Sequence, residues 1–244
     1  MKVLILGHKG MLGHMVYKYL STKNNCELVT TDLRWPTEEF KEYIYDFDGD
    51  FIVNCIAAIP QRKNDFKLNT TLPIWIDELD KSYKIIHPGT DGEMGDDEYG
   101  ISKKIATDHL VEKGKDTTII KTSIVGPEIN NKASLLEWFL NTKEKEIDGY
   151  DEFYWNGITT LQWSKISYKI MCDFYRYDTL NIPTSECISK YDLLNIMKSV
   201  FDKEIYIHRD SNTKVHRCLN RTYDMPHLDI ETQLKELKEF YYES

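Results

Sequence analysis

A tyrosine and a lysine stand four residues apart in the segment Tyr99-Gly100-Ile101-Ser102-Lys103. Side chains at this spacing share one face of a helix, so a lysine ammonium can stabilise a tyrosinate and lower the phenol pKa. Such a phenol can protonate a carbonyl oxygen while hydride is delivered to its carbon. Thr90 ends an apolar segment upstream and can donate a hydrogen bond to the same oxygen. Thr90, Tyr99 and Lys103 are therefore the predicted catalytic residues.

The N-terminal segment GHKGMLG, residues 7–13, contains three glycines in a GxxGxxG pattern between an apolar run and an amphipathic stretch. Between a strand and a helix, such glycines allow a tight turn, close approach of the backbone to a pyrophosphate, and close helix–strand packing. The free N–H groups that start the helix then face the phosphates. The pattern predicts a dinucleotide site, and the alternative is a tight strand–helix turn in another α/β fold.

The choice between the two nicotinamide cofactors depends on three charged residues. Asp32 lies just beyond the second predicted strand, where an acid can reach an adenine ribose. Lys9 and Arg34 act in the opposite sense, because a ribose 2′-phosphate attracts cations. Two cations outweigh one carboxylate at close range, so the sequence favours NADP(H) over NAD(H). The alternative for Asp32 is a solvated loop residue.

Short apolar runs alternate with longer amphipathic stretches over the first half of the chain. Strands are predicted over Val3–Leu6, Leu28–Thr30, Phe51–Ile56, Lys84–His87 and Thr118–Lys121. Helices are predicted over Met11–Thr22, Thr37–Tyr45, much of Asn69–Lys81, and Tyr99–Glu112. Near-continuous apolar strands in this alternation are typical of a parallel sheet covered on both faces. The predicted fold class is α/β, a Rossmann-type doubly wound parallel sheet.

The alternation changes after Gly126-Pro127, which predicts a small C-terminal substrate lobe. Residues 1–127 form the predicted cofactor domain, to which 157–183 return, while 128–156 and 184–244 form the lobe. Helices are predicted over Ala133–Lys143, Thr160–Tyr175, Ser189–Val200 and Asp229–Tyr241, and a strand over Ile205–His208. Asn130, Trp138 and Arg217 are candidate substrate contacts. Core packing of the tryptophan and a solvated loop around the arginine are the alternatives.

The chain of 244 residues carries 40 acidic and 31 basic side chains and a formal net charge of -9. This balance argues against a nucleic-acid partner, which usually meets a basic face. No run approaches the ~18 apolar residues of a membrane span, and the apolar N-terminal run is too short for a signal peptide. Five scattered cysteines without a CxxC pair predict a reduced, cytoplasmic protein. The seven histidines show no metal-ligand spacing, so no metal site is expected.

Together with the segment Asn54–Ala58, with Asn69 and with Thr90-Asp91, the glycine loop and the YGxSK sequence resemble the extended short-chain dehydrogenase/reductases. Within that family the chain is similar to the dTDP-4-dehydrorhamnose reductase-like group, most specifically over residues 1–127. The segment 121–127 resembles the strand and loop that run past the nicotinamide in that group. The glycine loop is also similar to that of GDP-fucose synthases, where a basic residue accompanies NADP(H).

The resemblance implies NAD(P)H-dependent reduction of a nucleotide-linked 4-keto-6-deoxysugar for deoxysugar or surface polysaccharide biosynthesis. It implies Thr90, Tyr99 and Lys103 as a catalytic triad, with Thr90 and Asp91 also contacting substrate. The implied cofactor contacts are Gly7, Lys9, Gly10, Met11, Leu12, Gly13, Asp32, Leu33, Arg34, Cys55, Ile56, Ala57, Ala58, Asn69, Tyr99, Lys103, Ser123 and Val125. A homodimer is an expectation from the resemblance alone.

Two departures from the family pattern bear on the reaction. The segment Gly92–Glu98, between Thr90-Asp91 and Tyr99, is shorter than family members usually have, so a substrate-contacting loop is trimmed. Related 4,6-dehydratases carry Asp-Glu directly after the threonine, whereas here Glu93 lies one place too late to form that acid pair. Two alternatives stay open. One is a nucleotide-sugar epimerase of the same fold that recycles tightly held NAD, and the other is a non-catalytic nucleotide-binding regulatory subunit.

Overall fold

The computed structural model describes residues 1–60, 65–130, 132–223 and 229–243. The strands of its central sheet are β1 (Lys2–Leu6), β2 (Glu27–Thr30), β3 (Phe51–Asn54), β4 (Lys84–Gly89), β5 (Thr117–Lys121) and β10 (Leu180–Asn181). Within the described ranges these six strands are parallel and lie in the order β2–β1–β3–β4–β5–β10. The helices are α1 (Met11–Leu20), α2 (Glu38–Tyr45), α3 (Leu68–Glu78), α4 (Glu98–Lys113), α5 (Leu135–Asn141), α6 (Thr160–Cys172), α7 (Lys190–Val200) and α8 (Ile230–Tyr242). The predicted α/β Rossmann-type class is confirmed.

Strand β1 sits at the point where the chain changes direction across the sheet. Its neighbour on one side is β2, and on the other side it pairs with β3, from which the sheet continues to β4 and β5. Val3 and Ile5 pack on the face covered by α1 and α6, whereas Leu4 and Leu6 pack on the face covered by α2 and α3. A crevice for a ligand therefore opens at the carboxyl ends of β1 and β3.

The second half of the chain adds short strands around a separate apolar cluster. These strands are β6 (Ile124–Val125), β7 (Glu146–Tyr150), β8 (Phe153–Trp155), β9 (Ile158–Thr159), β11 (Ile188–Ser189), β12 (Tyr206–Asp210) and β13 (Val215–Arg217). They pair as β11–β8–β13, β12–β7 and β6–β9, and side chains such as Phe139, Trp155 and Met197 fill the cluster beneath them. The predicted division of the chain into a cofactor domain and a lobe stays a prediction.

Helix starts follow from side-chain caps that the sequence supplies. The Asp97 carboxylate accepts a hydrogen bond from the Gly100 N–H at 2.7 Å and starts α4 at Glu98. Ser189 accepts from the Asp192 N–H at 3.0 Å and starts α7, as its position in the sequence predicted. A cap of this kind contributes about 1 kcal/mol to helix stability. The Asp97 cap places Tyr99 and Lys103 in the first two turns of α4.

Element boundaries differ from the predictions mainly in the second half. The helix predicted over Thr160–Tyr175 ends at Cys172 and is followed by a 3₁₀ turn over Phe174–Arg176. The helix predicted over Ala133–Lys143 shortens to α5. Most of the short strands were missed, because runs of two to five residues leave too little periodicity to recognise. Within the described ranges, every helix is too short or too polar to cross a bilayer.

Cys187 and Cys218 form a disulfide across 31 residues of sequence. The prediction of a fully reduced protein was wrong for this pair, whereas Cys26, Cys55 and Cys172 are free thiols. Cys187 directly precedes β11 and Cys218 directly follows β13, and these two strands flank β8. The pairing depends on that tertiary arrangement, which the spacing of cysteines along the chain does not reveal.

Reduction of this disulfide is expected to lower the free energy of unfolding by about 2–4 kcal/mol, because the cross-link restricts the unfolded chain. The measurement is guanidinium unfolding with and without dithiothreitol, and Cys218→Ser should lose the same amount without reductant. Cys172→Ser removes an exposed free thiol and serves as the control. Equal stability of the oxidised and reduced proteins would contradict the prediction.

Candidate active site

The loop between β1 and α1 is held in a conformation that requires glycine at two positions. Gly7 has a φ of 75°, and a Cβ there would lie 3.0 Å from the carbonyl carbon and oxygen of Cys55. A Cβ on Gly13 would lie 2.2 Å from the Gly7 carbonyl oxygen, which is an impossible contact. The Gly10 N–H closes the turn by donating to that oxygen at 2.9 Å. Both glycines are therefore needed for the tight strand–helix junction.

The N-terminus of α1 is arranged to receive an anion. Gly10 is the N-cap and supplies no side-chain cap, and the first turn of the helix holds no acidic residue. The initial N–H groups and the positive end of the helix dipole therefore stay available for phosphate oxygens. Met11 is half-buried and Leu12 is buried beneath this surface. The geometry fits the pyrophosphate of a dinucleotide.

The three charged residues predicted beside the adenine ribose lie close together. The Lys9 ammonium is 2.6 Å from the Asp32 carboxylate, and His8 Nε2 is 3.8 Å from it. The hydrogen bond from Lys9 holds the pKa of Asp32 below its usual range, and Arg34 acts in the same direction through its charge. Leu33 is exposed next to them. The ion pair of Lys9 and Asp32 is on the surface, so it contributes little to stability and can open for a ligand.

Thr90 and Tyr99 meet at the carboxyl end of β4. The Thr90 hydroxyl donates to the Asp91 carboxylate at 3.2 Å and accepts from the Gly92 N–H at 3.1 Å. Burial raises the pKa of Tyr99, and a hydrogen bond with Thr90 opposes this shift. A Cβ on Gly92 would lie 3.0 Å from the Tyr99 ring, so the missing side chain lets the short turn pack against the phenol. The structure thus brings the predicted hydroxyl donors together.

Lys103 is buried on α4 and points into the protein. Its ammonium donates to the Pro88 carbonyl oxygen at 2.7 Å and lies 3.4 Å from Nε2 of His87. Burial lowers the pKa of Lys103 to about 8, and Glu93 opposes the shift. The expectation that the lysine lowers the phenol pKa is wrong in this structure, because burial dominates at Tyr99 and the ammonium is bonded elsewhere.

A buried polar chain connects Lys103 to the strand beneath the cofactor crevice. Nδ1 of His87 is 3.3 Å from Nδ2 of Asn54, the last residue of β3. Burial lowers the pKa of His87 well below its usual value, with the charge of Lys103 acting in the same direction, so His87 is neutral. The next residue, Cys55, lies against Gly7 through its backbone, and Lys103 acts on its thiol through charge. Lys103 and the glycine loop therefore share one edge of the sheet.

Sequence reasoning assigned no role to His87 and gave Asn54 only as part of the segment 54–58 that resembles the family. A histidine and an asparagine inside otherwise apolar strands were the available signal, because buried polar side chains need partners.

Asn69, a predicted cofactor contact, is buried and makes its side-chain hydrogen bonds within the protein. It is 2% exposed, its Oδ1 accepts from the Ala58 N–H at 2.8 Å, and its Nδ2 donates to Ala58 O at 3.0 Å. The same nitrogen donates to the Ser102 hydroxyl at 3.1 Å. Asn69 thus joins α3, the segment after β3, and α4. Ile56 and Ala57 in that segment are half-buried.

Both carboxylate oxygens of Glu93 are engaged by neighbouring groups of the protein. One carboxylate oxygen accepts from the Thr90 N–H at 3.1 Å and the Thr107 hydroxyl at 3.0 Å, and the other is 2.7 Å from the Lys121 ammonium. The side chain is 6% exposed. Its carboxylate closes a capping box with Thr90 at the start of the 3₁₀ turn over Asp91–Met94. This placement fits the sequence argument against an acid pair for water elimination.

The residues predicted in the second half are only partly brought to this site. Arg217 on β13 donates to the carbonyl oxygens of Asp91 at 3.2 Å and Gly92 at 3.5 Å. Asn130 and Trp138 are exposed and share no described contact with these residues. Ser123 accepts from the Ile158 N–H through its carbonyl, and Val125 is buried. Of the three candidate substrate contacts, the arginine is the one that lies against the 3₁₀ turn over Asp91–Met94.

The fold and the site define a Rossmann-type α/β protein with a glycine-lined strand–helix junction, and with Thr90 and Tyr99 together at the carboxyl end of the fourth strand. No protein-family model and no curated protein matches the sequence. A dTDP-4-dehydrorhamnose reductase from Clostridium acetobutylicum has the same fold, with a TM-score of 0.78 and 18% identity over 99% of this chain and 100% of that chain.

Two further solved structures share the fold. A dTDP-4-dehydrorhamnose reductase from Bacillus anthracis in complex with NADP has a TM-score of 0.73 and 13% identity over 100% of this chain and 99% of that chain. A dTDP-glucose 4,6-dehydratase from Bacillus anthracis in complex with NAD has a TM-score of 0.72 and 15% identity over 100% and 97%. At these identities the likeness establishes the fold.

Proposed function

We propose that the protein is an NAD(P)H-dependent reductase of a nucleotide-linked 4-keto-6-deoxysugar, acting in deoxysugar or surface polysaccharide biosynthesis. The observation that carries the proposal is that Thr90 and the Tyr99 ring both lie against Gly92, while Lys103 is buried one turn further along the helix that carries Tyr99. This cluster lies at the same sheet edge as the Gly7 turn. Solved structures of the same fold include sugar-nucleotide reductases, which supports the assignment of the substrate class.

The residues fit a dinucleotide cofactor on two observations of this chain. The Gly7 and Gly13 positions leave no room for side chains, and the start of α1 offers uncapped N–H groups. When bound, a reduced nicotinamide supplies a hydride. Gly7, Gly10 and Gly13 would hold its pyrophosphate, and Lys9, Asp32 and Arg34 lie where the adenine ribose belongs.

Three side chains of the protein take part in donating a proton to the keto oxygen. The Thr90 hydroxyl would turn from the Asp91 carboxylate to donate a hydrogen bond to that oxygen and orient it towards Tyr99. Burial keeps the phenol protonated at neutral pH, so Tyr99 enters the reaction as an acid and gives its proton to the oxygen. The ammonium of Lys103, one helical turn from Tyr99, would turn from the Pro88 carbonyl oxygen to stabilise the negative charge that develops on the phenol oxygen, because charges interact strongly in a buried site.

The deciding experiment follows the absorbance of NADPH with a panel of nucleoside diphosphate 4-keto-6-deoxysugars. Stoichiometric oxidation with one of them, lost in Tyr99→Phe, supports the reductase. Interconversion of sugar epimers without net consumption of cofactor would establish the epimerase instead. Cofactor binding without either reaction, unchanged in Tyr99→Phe, would establish a regulatory subunit.

We propose NADP(H) as the preferred cofactor, because Lys9 and Arg34 lie beside the single carboxylate of Asp32. Lys9→Ala is expected to weaken NADPH binding about tenfold and NADH binding little, since a charged hydrogen bond contributes roughly 1.5–3 kcal/mol. Asp32→Asn is expected to strengthen NADPH binding. The measurement is fluorescence titration with both cofactors, and Lys41→Ala, which breaks a surface ion pair with Glu38, is the control. Equal losses for NADPH and NADH would contradict the preference.

A further inference from the structure

Cys187, His216 and Cys218 form a cluster of side chains whose atoms can bind a metal ion. The two Sγ atoms and a ring nitrogen of the histidine all lie within 4.8 Å of one another. His216 lies on β13 and Cys218 directly follows that strand, so their spacing of two places both side chains on one side of an extended chain. Cys187 joins them from the segment before β11. Sequence reasoning expected no metal site, because the cluster depends on strand pairing and not on spacing along the chain.

Asn156 holds the backbone on both sides of the disulfide. Its carbonyl oxygen accepts a hydrogen bond at 3.0 Å from the N–H of Ser185, two residues before Cys187. Its side chain bonds to Leu219, the residue after Cys218, donating to the carbonyl oxygen at 2.9 Å and accepting from the N–H at 2.9 Å. Asn156 is buried, so water competes little for these bonds. The two cysteines are therefore held close together by contacts that do not require the disulfide.

Reduction converts the two cysteines into ligands for a divalent metal ion. Cys187 is exposed, so a dithiol reductant can reach the disulfide. The dithiol gives two electrons and two protons, which leaves two thiols on the protein and a cyclic disulfide on the reductant. A divalent metal then displaces the two thiol protons, because the thiolate is the ligating form. Two sulfurs on one tetrahedral zinc lie roughly 3.8 Å apart, a separation that cysteines with Cα atoms 5.8 Å apart can span.

We propose that the reduced protein binds one Zn²⁺ through the thiolates of Cys187 and Cys218 and the imidazole of His216, at a site that the disulfide closes in the oxidised protein. Sulfur and imidazole ligands favour Zn²⁺ over Mg²⁺ and Ca²⁺, which prefer oxygen. His216 is exposed, and its ring lies 6.0 Å from that of Tyr154 without a hydrogen bond to the described residues, so a ring nitrogen can turn to the metal. Three protein ligands leave the fourth position of the metal to water.

Bound zinc would replace the disulfide as the cross-link between β11 and β13. Arg217, which stands between His216 and Cys218, donates to the carbonyl oxygens of Asp91 and Gly92. A metal ion on the residues that flank Arg217 therefore keeps β13 and this contact in place when the disulfide is reduced. Metal binding at this site does not depend on the proposed reductase activity.

The test is titration of the full chain, reduced with a phosphine and freed of metal by a chelator, with Co²⁺ as a spectroscopic probe and then with Zn²⁺. The reduced wild type is expected to show thiolate-to-cobalt charge-transfer absorption that saturates at one Co²⁺ per chain and disappears as Zn²⁺ displaces the probe. The oxidised protein should show no such absorption. Cys172→Ser removes an exposed free thiol and should keep the absorption.

His216→Ala is expected to weaken the affinity of the reduced protein for Zn²⁺ at least about tenfold, because even the loss of a group that only supports a ligand has an effect of this size. His208→Ala is the matched control. It removes an exposed histidine that pairs with Glu146 on the surface, and it should keep the wild-type affinity.

Three results would overturn the proposal: no charge-transfer absorption in the reduced protein, equal absorption in the oxidised protein, or equal Zn²⁺ affinity of wild type and His216→Ala. Loss of the absorption in Cys172→Ser would place the metal at that thiol and would overturn it as well. Thermal unfolding gives a second measurement, because a metal that binds the native state raises its stability. Zn²⁺ should raise the unfolding midpoint of the reduced protein only, and an equal rise in the oxidised protein would mean that the metal binds elsewhere.

Discussion

Replacement of Tyr99 by phenylalanine is expected to lower kcat for the keto sugar by about 10³-fold, with NADPH affinity unchanged. In the proposed reaction the phenol is the acid that protonates the keto oxygen, and burial raises its pKa so that the proton is present at neutral pH. Phenylalanine keeps the ring that packs against Gly92 and Phe66 and removes only the hydroxyl. Single-turnover kinetics and cofactor titration on the same preparation measure the two quantities.

Tyr83 offers a matched control for this loss. It is 3% exposed in the cluster beneath the central sheet, and its hydroxyl makes no hydrogen bond to the described residues. Tyr83→Phe therefore removes a buried hydroxyl of the same kind outside the site, and kcat should not change. A Tyr99→Phe enzyme that keeps more than a tenth of its activity, or equal losses in both variants, would remove the phenol from the mechanism.

The glycine loop was predictable because its requirements are local. Gly7 must adopt a positive φ, and Gly13 must leave space for the Gly7 carbonyl oxygen, so both constraints lie within seven residues of sequence. The alternation of strands and helices was equally readable, since strands buried on both faces are apolar throughout. These local signals were sufficient for the class of fold and for the place of the cofactor crevice.

The direction of long side chains was not predictable. The spacing of Tyr99 and Lys103 sets them on one helix face, but Pro88 and His87 on β4 determine where the ammonium goes. The same holds for Lys190, whose ammonium lies 4.7 Å from the centroid of the Trp155 ring. The partners of a flexible lysine side chain are set by tertiary structure, so they cannot be predicted from the local sequence.

The disulfide between Cys187 and Cys218 was also not predictable from the sequence. Cys187 and Cys218 meet only because β11 and β13 flank β8, and those strands are too short to predict. Arg217, next to Cys218, reaches the Asp91 carbonyl oxygen by the same strand arrangement. The prediction for Arg217 therefore rested on residue type alone, and its partner in the structure is the backbone of the 3₁₀ turn over Asp91–Met94.

Lys103→Met is expected to lower kcat by about 10²- to 10³-fold, the loss that follows removal of one buried group that stabilises developing charge. The ammonium is held by Pro88 O and lies beside neutral His87, where few water molecules screen its charge. Its pKa is about 8, so the charged form is lost as the pH rises through that value. Wild-type kcat should therefore fall above pH 8, and the variant should lack this decline.

The same shift in pKa makes a separate prediction for stability. The folded value of about 8 lies below the ordinary value of 10.5, so the unfolded chain binds more protons between these two values. Below pH 8 the native state carries the full cost of the buried ammonium, roughly 3 kcal/mol. As the pH rises from 8 towards 10.5, the wild type should gain about that much stability relative to Lys103→Met.

Urea unfolding at several pH values measures this gain, and Lys104→Met provides the control. Lys104 is the next residue on α4, but it is exposed and paired with Asp108 on the surface. Its replacement should change neither kcat nor the slope of stability with pH, because an exposed ion pair contributes little. A stability difference between wild type and Lys103→Met that stays constant across this range would mean that Lys103 titrates as an ordinary surface lysine. The buried ammonium would then be absent, and with it the stabilisation of charge on Tyr99.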